Sequence, residues 1–159
     1  MIPVEPVALL VSDGDLERRF GGLRRLYGDA MYACIRAAHV VVVGVGGVGS
    51  WATEALARSG VAALTLIDLD QVSESNINRQ IQALGSTVGQ AKVDALGRRV
   101  ADIHPACEVV AIEEFVEPEN WPALLARSRG RSMWSSMPVT RAARRRCWRP
   151  GRSAAARRW

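Results

Sequence analysis

Lysine is almost missing from this chain: of 21 basic residues, only Lys92 is not arginine. Acids are missing from its last fifth. All 16 Asp and Glu lie in residues 1–126 beside 10 Lys and Arg, a net charge of −6; residues 127–159 hold 11 Arg and no acid, a net charge of +11. The overall charge of +5 therefore describes neither part. A polycationic segment binds nucleic acid or anionic membrane without specificity, whether or not it was selected to do so. Cysteine is scarce and unpatterned. Cys34, Cys107 and Cys147 form no CxxC pair, which argues against a structural zinc site and a disulfide framework and predicts buried or bystander thiols. No apolar run nears the roughly 20 residues a spanning helix needs, and the N-terminus lacks a basic signal-peptide region. These features predict a cytoplasmic protein without a membrane partner.

What is present is a strand–turn–helix–strand pattern. His39-Val40-Val41-Val42-Val43 is a β-branched run entering Gly44-Val45-Gly46-Gly47-Val48-Gly49, which opens an amphipathic stretch from Ser50 to Ser59. A second apolar run, residues 62–67, ends at Asp68, nineteen residues past Gly49. Glycines let backbone N–H groups approach a phosphate, a helix N-terminus favours negative charge, and an acid at the next strand's tip suits a ribose hydroxyl.

Around this unit the pattern predicts further elements. Ser12 and Asp13 cap a short helix carrying Leu16, Arg19 and Phe20, broken at Gly21-Gly22. A second helix spans 26–38 with Leu26, Ala30, Ala33 and Ala37 on one face. Residues 69–86 form a long polar crossover, a length usually tied to function. A helix over 88–103 turns Val93, Leu96, Val100 and Ile103 inward and stops at His104-Pro105. A third strand covers 107–112, and residues 117–120 cap a helix running to Leu125. His39 and His104 are expected to be structural. The expected fold is α/β: a Rossmann-like, mainly parallel sheet with flanking helices, incomplete on its C-terminal side. Residues 1–126 would form the N-terminal part of a nucleotide-binding domain, and 127–159 an aberrant or disordered Arg-rich tail.

Three motifs in order resemble one family: Gly44-x-Gly46-Gly47-x-Gly49, then Asp68-Leu69-Asp70-x-Val72-x-x-Ser75-Asn76-x-Asn78-Arg79-Gln80, then Val88-Gly89-Gln90-x-Lys92. Together they are similar to the ThiF, MoeB and HesA adenylating enzymes related to ubiquitin activation. The opening Arg19-Phe20-Gly21-Gly22-Leu23-x-Arg25-Leu26-Tyr27-Gly28 resembles the branch of bacterial tRNA threonylcarbamoyladenosine dehydratases. The resemblance covers roughly residues 17–125. It implies attack of a carboxylate on the α-phosphorus of ATP, with Mg2+, and in this branch a carboxylate carried by adenosine 37 of tRNA, whose adenylate closes to a ring.

The resemblance also implies site residues. Gly44, Gly46, Gly47 and Gly49 line the nucleotide loop; Asp68 binds ribose; Asp70 and Ser75 belong to the same nucleotide-binding set. Asn76, Arg79 and Lys92 hold phosphates, with Arg79 and Lys92 the catalytic charges. Arg19 reaches a neighbouring subunit's nucleotide in a homodimer. The family's magnesium-binding Asp falls at or near Ser136, where this chain has none. Two partner sets remain open: tRNA, or a ubiquitin-like sulfur carrier and a cysteine-desulfurase system. A different class, an NAD-dependent oxidoreductase fragment, shares the glycine loop and Asp68 but gives no reason for Asn76, Arg79 or Lys92. A nucleic-acid binder using only the tail is a fourth alternative.

The tail suggests a shifted reading frame. Ser132-Met133-Trp134-Ser135-Ser136-Met137-Pro138-Val139-Thr140 permits codons that, read one frame over, spell Asp-Val-Val-Val-Asp-Ala-Gly-Asp, a buried strand ending in acids. Resequencing the gene across codons 120–159 is expected to reveal one inserted or deleted base; an unchanged frame in independent reads would refute it.

Overall fold

The computed structural model describes residues 12–129, in which three parallel strands carry helices on both faces. The elements are α1 (Asp13–Phe20), α2 (Leu23–Arg36), β1 (His39–Val43), α3 (Gly49–Arg58), β2 (Ala63–Ile67), α4 (Lys92–Ile103), β3 (Glu108–Ile112) and α5 (Trp121–Arg129), with a 3-10 turn at Glu74–Asn76. The sheet order is β1-β2-β3, with His39 level with Ala63 and Ala63 level with Glu108.

Strand alternation sorts the core. Leu64 and Leu66 point with Val40, Val42 and Val109 into a cluster with Ala57, Val93, Leu96 and Val100 of α3 and α4. Ile67 and Ile112 point the other way, with Val41 and Val110, onto Leu124 and Trp121 of α5. Both faces of β2 are covered and all five of its residues are buried, as expected for the centre of a parallel sheet. The inward set expected of α4 is borne out: Val93, Leu96 and Val100 are buried and Ile103 packs against them. The helix begins at Lys92 rather than Val88, because Gly89 takes a positive φ of 84° that a helix does not admit.

Other expectations need correcting. In α2, Leu26, Ala30 and Ala33 are exposed, and Tyr32 is the buried residue. Gly28 kinks the helix with φ 74°, and an alanine-rich face has little apolar surface to bury. Cys34 is partly buried. Cys107 is a free thiol that burial pushes up to about 11. α5 runs past the composition boundary at Arg127, which pairs with Glu114.

Two buried polar knots tie helices together. Glu54 of α3, buried, binds Arg58 at 2.6 Å and Arg99 of α4 at 2.5 Å. Burial opposes its charge, but the hydrogen bonds from Arg99 and Arg58 prevail and hold its carboxyl below the usual range. Capping and aromatic contacts build the second knot. Ser12 caps α1 reciprocally with Asp15. At the far end of α1, Arg19 donates to the Ile103 carbonyl at 2.9 Å, and Phe20 lies 4.6 Å from the His104 ring. The guanidinium of Arg36 sits 5.0 Å from Phe20 and 3.0 Å from His104 Nε2. Arginine only donates, so Nε2 accepts and the ring is neutral. Its Nδ1 is buried without a hydrogen bond of normal geometry. His39 is likewise structural, with Nε2 2.8 Å from the buried Thr65 hydroxyl.

Burial, then Arg36 and Arg19, lower His104 to about 4, against a slight opposing effect of the Val61 backbone. The folded value lies below the ordinary 6.5. Between those values the unfolded chain binds a proton that the folded chain excludes, so stability falls as pH drops through this window, by up to ~3 kcal/mol. Urea unfolding midpoints between pH 7 and pH 4 are expected to show this slope, and His104→Asn is expected to flatten it.

Candidate functional site

The glycine loop lies at the carboxyl ends of the parallel strands, where open α/β sheets bind ligands. Gly44 leaves β1 with φ 78°, and its N–H donates to the Ile67 carbonyl at 2.8 Å, holding the loop against the end of β2. The chain then turns into α3, whose N-terminus has no side-chain cap. The Ser50 N–H is taken by the Gly46 carbonyl at 3.0 Å, and the helix start carries the positive end of the helix dipole. A Cβ on Gly49 would meet the Gly44 carbonyl oxygen at 1.8 Å. The turn is therefore closed by contact between two glycine backbones.

Asp68, at the tip of β2, is the hub. Its Oδ2 accepts from the Val45 N–H at 2.7 Å and its Oδ1 from the Asp70 N–H at 2.9 Å. The Asp70 carboxylate in turn accepts from Lys92 Nζ at 2.6 Å, and the Asp70 carbonyl accepts from the Lys92 N–H at 3.0 Å. Lys92 is buried although it starts a helix. Three hydrogen bonds thus run from the glycine loop through two acids to the sole lysine. Val43, Gly44, Ile67, Asp68, Leu69, Asp70, Glu114, Phe115 and Val116 line a cavity of about 270 Å³ beside them.

The crossover brings Arg79 to the other side of the loop. A Cβ on Gly47 would lie 3.8 Å from Arg79 Cδ, and Trp51 of α3 donates its indole N–H to the Arg79 carbonyl at 3.1 Å. The exposed guanidinium folds back on its own turn, donating to the Ser75 carbonyl at 2.6 Å and to Asn78 Oδ1 at 3.0 Å. Asn76 is buried and accepts from the Ser73 N–H at 3.1 Å, closing the 3-10 turn. The Ser75 hydroxyl pairs with that of Ser73 at 3.0 Å.

Gly44, Gly46, Gly47, Gly49, Asp68, Asp70, Arg79 and Lys92 are therefore gathered around one loop, with Ser75 and Asn76 shaping the turn that presents Arg79. Arg19 is not brought there. It binds the C-terminal carbonyls of α4, which lead into the amino end of β3 at the opposite end of the sheet. The position expected to carry the magnesium-binding acid, near Ser136, lies outside the described residues. Among the described residues no group of three or more His, Cys, Asp or Glu is placed to hold a metal. No helix among them is long and apolar enough to cross a membrane.

Two site residues escaped the sequence reading. Gln82, buried, donates to the Val45 carbonyl at 2.9 Å, while its Oε1 is buried without a partner. Trp51 props the Arg79 turn. A glutamine in a polar crossover carries no periodic signal, and an indole in an amphipathic helix looks like ordinary surface.

The ThiF family model matches residues 19–129. The chain is 46% identical over 121 residues to the tRNA threonylcarbamoyladenosine dehydratase of Haemophilus influenzae, covering 76% of this chain and 46% of that protein. It is 39% identical over 92 residues to the molybdopterin-synthase adenylyltransferase of Salmonella typhimurium, covering 58% and 37%. The crystal structure of the Escherichia coli dehydratase TcdA in complex with ATP superposes with a TM-score of 0.69 at 47% identity, covering 74% of this chain and 48% of that one. The chain spans less than half the length of the dehydratases it matches.

Gly49→Ala forces the loop open at its closest backbone contact. It is expected to cost on the order of 3 kcal/mol, by urea unfolding, if the turn is rigid. A near-neutral result would show that the loop yields.

Proposed function

The chain belongs to the ThiF family, and on that premise we propose that it is the N-terminal half of an ATP-dependent enzyme that adenylates a carboxylate. The observation that carries this reading is the path from the glycine loop, which leads into the uncapped N-terminus of α3, through Asp68 and Asp70 to buried Lys92, with Arg79 across the loop. An adenylating site needs positive charge along a triphosphate and in-line positioning. It needs no strong base, because a carboxylate is already a nucleophile. The loop N–H groups would bind phosphate oxygens, Asp68 would turn its remaining lone pairs to the ribose, and Lys92 and Arg79 would neutralise charge that develops as pyrophosphate departs. Arg79 must leave Ser75 and Asn78 to do so, and its exposure permits that. Gln82 Oε1 offers one buried acceptor beside the loop. The described residues supply no ligand set for magnesium, and no step is assigned to it.

The substrate we favour is the carboxylate of threonylcarbamoyladenosine at position 37 of tRNA, closing to a ring through its adenylate. The identity to the Haemophilus influenzae dehydratase supports it, as does the Arg19–Gly28 segment. The C-terminus of a sulfur-carrier protein is the second reading, favoured by the likeness to molybdopterin-synthase adenylyltransferase. A cysteine-desulfurase system, and a homodimer in which Arg19 serves the neighbouring subunit, belong to the intact protein. Arg19 would have to exchange the α4 carbonyls for that role. We further propose that the reading frame is lost within residues 127–159 and that this chain binds nucleotide without turning over.

ATP is expected to displace a fluorescent adenine nucleotide from this chain while NAD does not, and Lys92→Ala is expected to weaken ATP at least about tenfold, ~1.4 kcal/mol. Equal competition by NAD would favour the oxidoreductase reading. Release of pyrophosphate by this chain with tRNA would overturn the claim of inactivity.

A further inference from the structure

Lys92 and Asp70 form an asymmetric pair. The lysine side chain is 7% exposed and the aspartate side chain 71%. Both backbones are pinned: the Asp70 N–H by Asp68, the Asp70 carbonyl by the Lys92 N–H, and the neighbouring Gln71 by an antiparallel bridge to Ala91. The ammonium therefore has nowhere to go, while the carboxylate faces solvent and can rotate away. A buried ammonium left without a partner is costly, so some anion must accompany it whether or not nucleotide is bound. A triphosphate entering the loop meets attraction from Lys92 and like-charge repulsion from Asp70. The arrangement favours replacing one anion by the other over keeping both.

We propose that Asp70 is a positioning residue: the counter-ion that holds Lys92 in place until nucleotide arrives, when the phosphate chain displaces its carboxylate from Nζ. The exchange rests on the ATP reading given above. It differs from direct nucleotide binding by Asp70, in which the carboxylate would gain a contact on binding rather than lose one. The released carboxylate turns to solvent and no bond is broken.

The sole lysine makes the test direct, since isotope-labelled lysine gives one side-chain signal from the whole chain. In the free protein the Lys92 Nζ signal of Asp70→Asn should differ from that of the unaltered chain, and that of Asp70→Glu should resemble it. With saturating ATP all three should converge, because the phosphate is then the partner in each. ATP should bind Asp70→Asn about three- to tenfold more tightly, as the competing ion pair is gone, with adenosine affinity unchanged. If ATP moves the glycine-loop amides but leaves the Lys92 signal of the unaltered chain in place, Lys92 keeps Asp70 and the exchange is wrong. Weaker ATP binding by Asp70→Asn would also overturn it. If no loop amide responds to ATP, the ATP reading itself fails and the exchange fails with it. The unaltered chain alone supplies the deciding arm, so a poorly folding variant does not remove the test.

Discussion

The two oxygens of Asp68 fix the geometry of everything around them. One holds the glycine loop through Val45 and the other holds the start of the crossover through Asp70. Strand β2 delivers this carboxylate from the middle of the sheet, where packing on both faces leaves it no freedom to drift. An acid carried on an edge strand would not set the loop and the crossover relative to each other as firmly. The buried core matters to the site mainly because it fixes the place of this one side chain.

Charge around the site is organised by pairing rather than by net excess. Glu54 ties α3 to α4, so the helix that begins at the glycine loop is linked to the helix that begins at Lys92 by a buried ion pair. The knot of Phe20, Arg36 and His104 does the corresponding work at the amino ends of the strands, far from the loop. Arg79 and Asp70 are the exposed charges at the loop, and the Arg79 guanidinium is held by its own turn. The rigid and the adjustable parts of the site are therefore carried by different segments: helices for Lys92, crossover for Arg79.

Much of this was legible in the sequence because the strands are short apolar runs. Residues 39–43, β-branched, and 62–67 could be read as strands from those runs, and the glycine loop and Asp68 followed from spacing. Ser12 announced α1 by its capping chemistry. The failures have physical causes. The face assigned to α2 rested on alanines, whose burial is worth little, and the kink at Gly28 depends on backbone conformation that no periodicity encodes. The start of α4 was placed too early because Val88 fits the apolar period while Gly89 breaks the helix. Gln82 and the Asp70–Lys92 pair join residues far apart in sequence, and without the fold nothing links them. Arg19 illustrates the converse: a motif residue recognised by resemblance has a structural partner in the single chain that resemblance does not mention.

The sheet order β1-β2-β3 repeats the order of synthesis. Each new strand lays itself beside the one just made, and no described strand must wait for a later one to complete its pairing. The core between β1 and β3, and the nucleotide loop, can therefore assemble without waiting for any strand beyond β3. Such a half has its own folding history. A change of coding sense downstream of it would leave an assembled loop attached to unrelated residues, rather than a protein misfolded throughout.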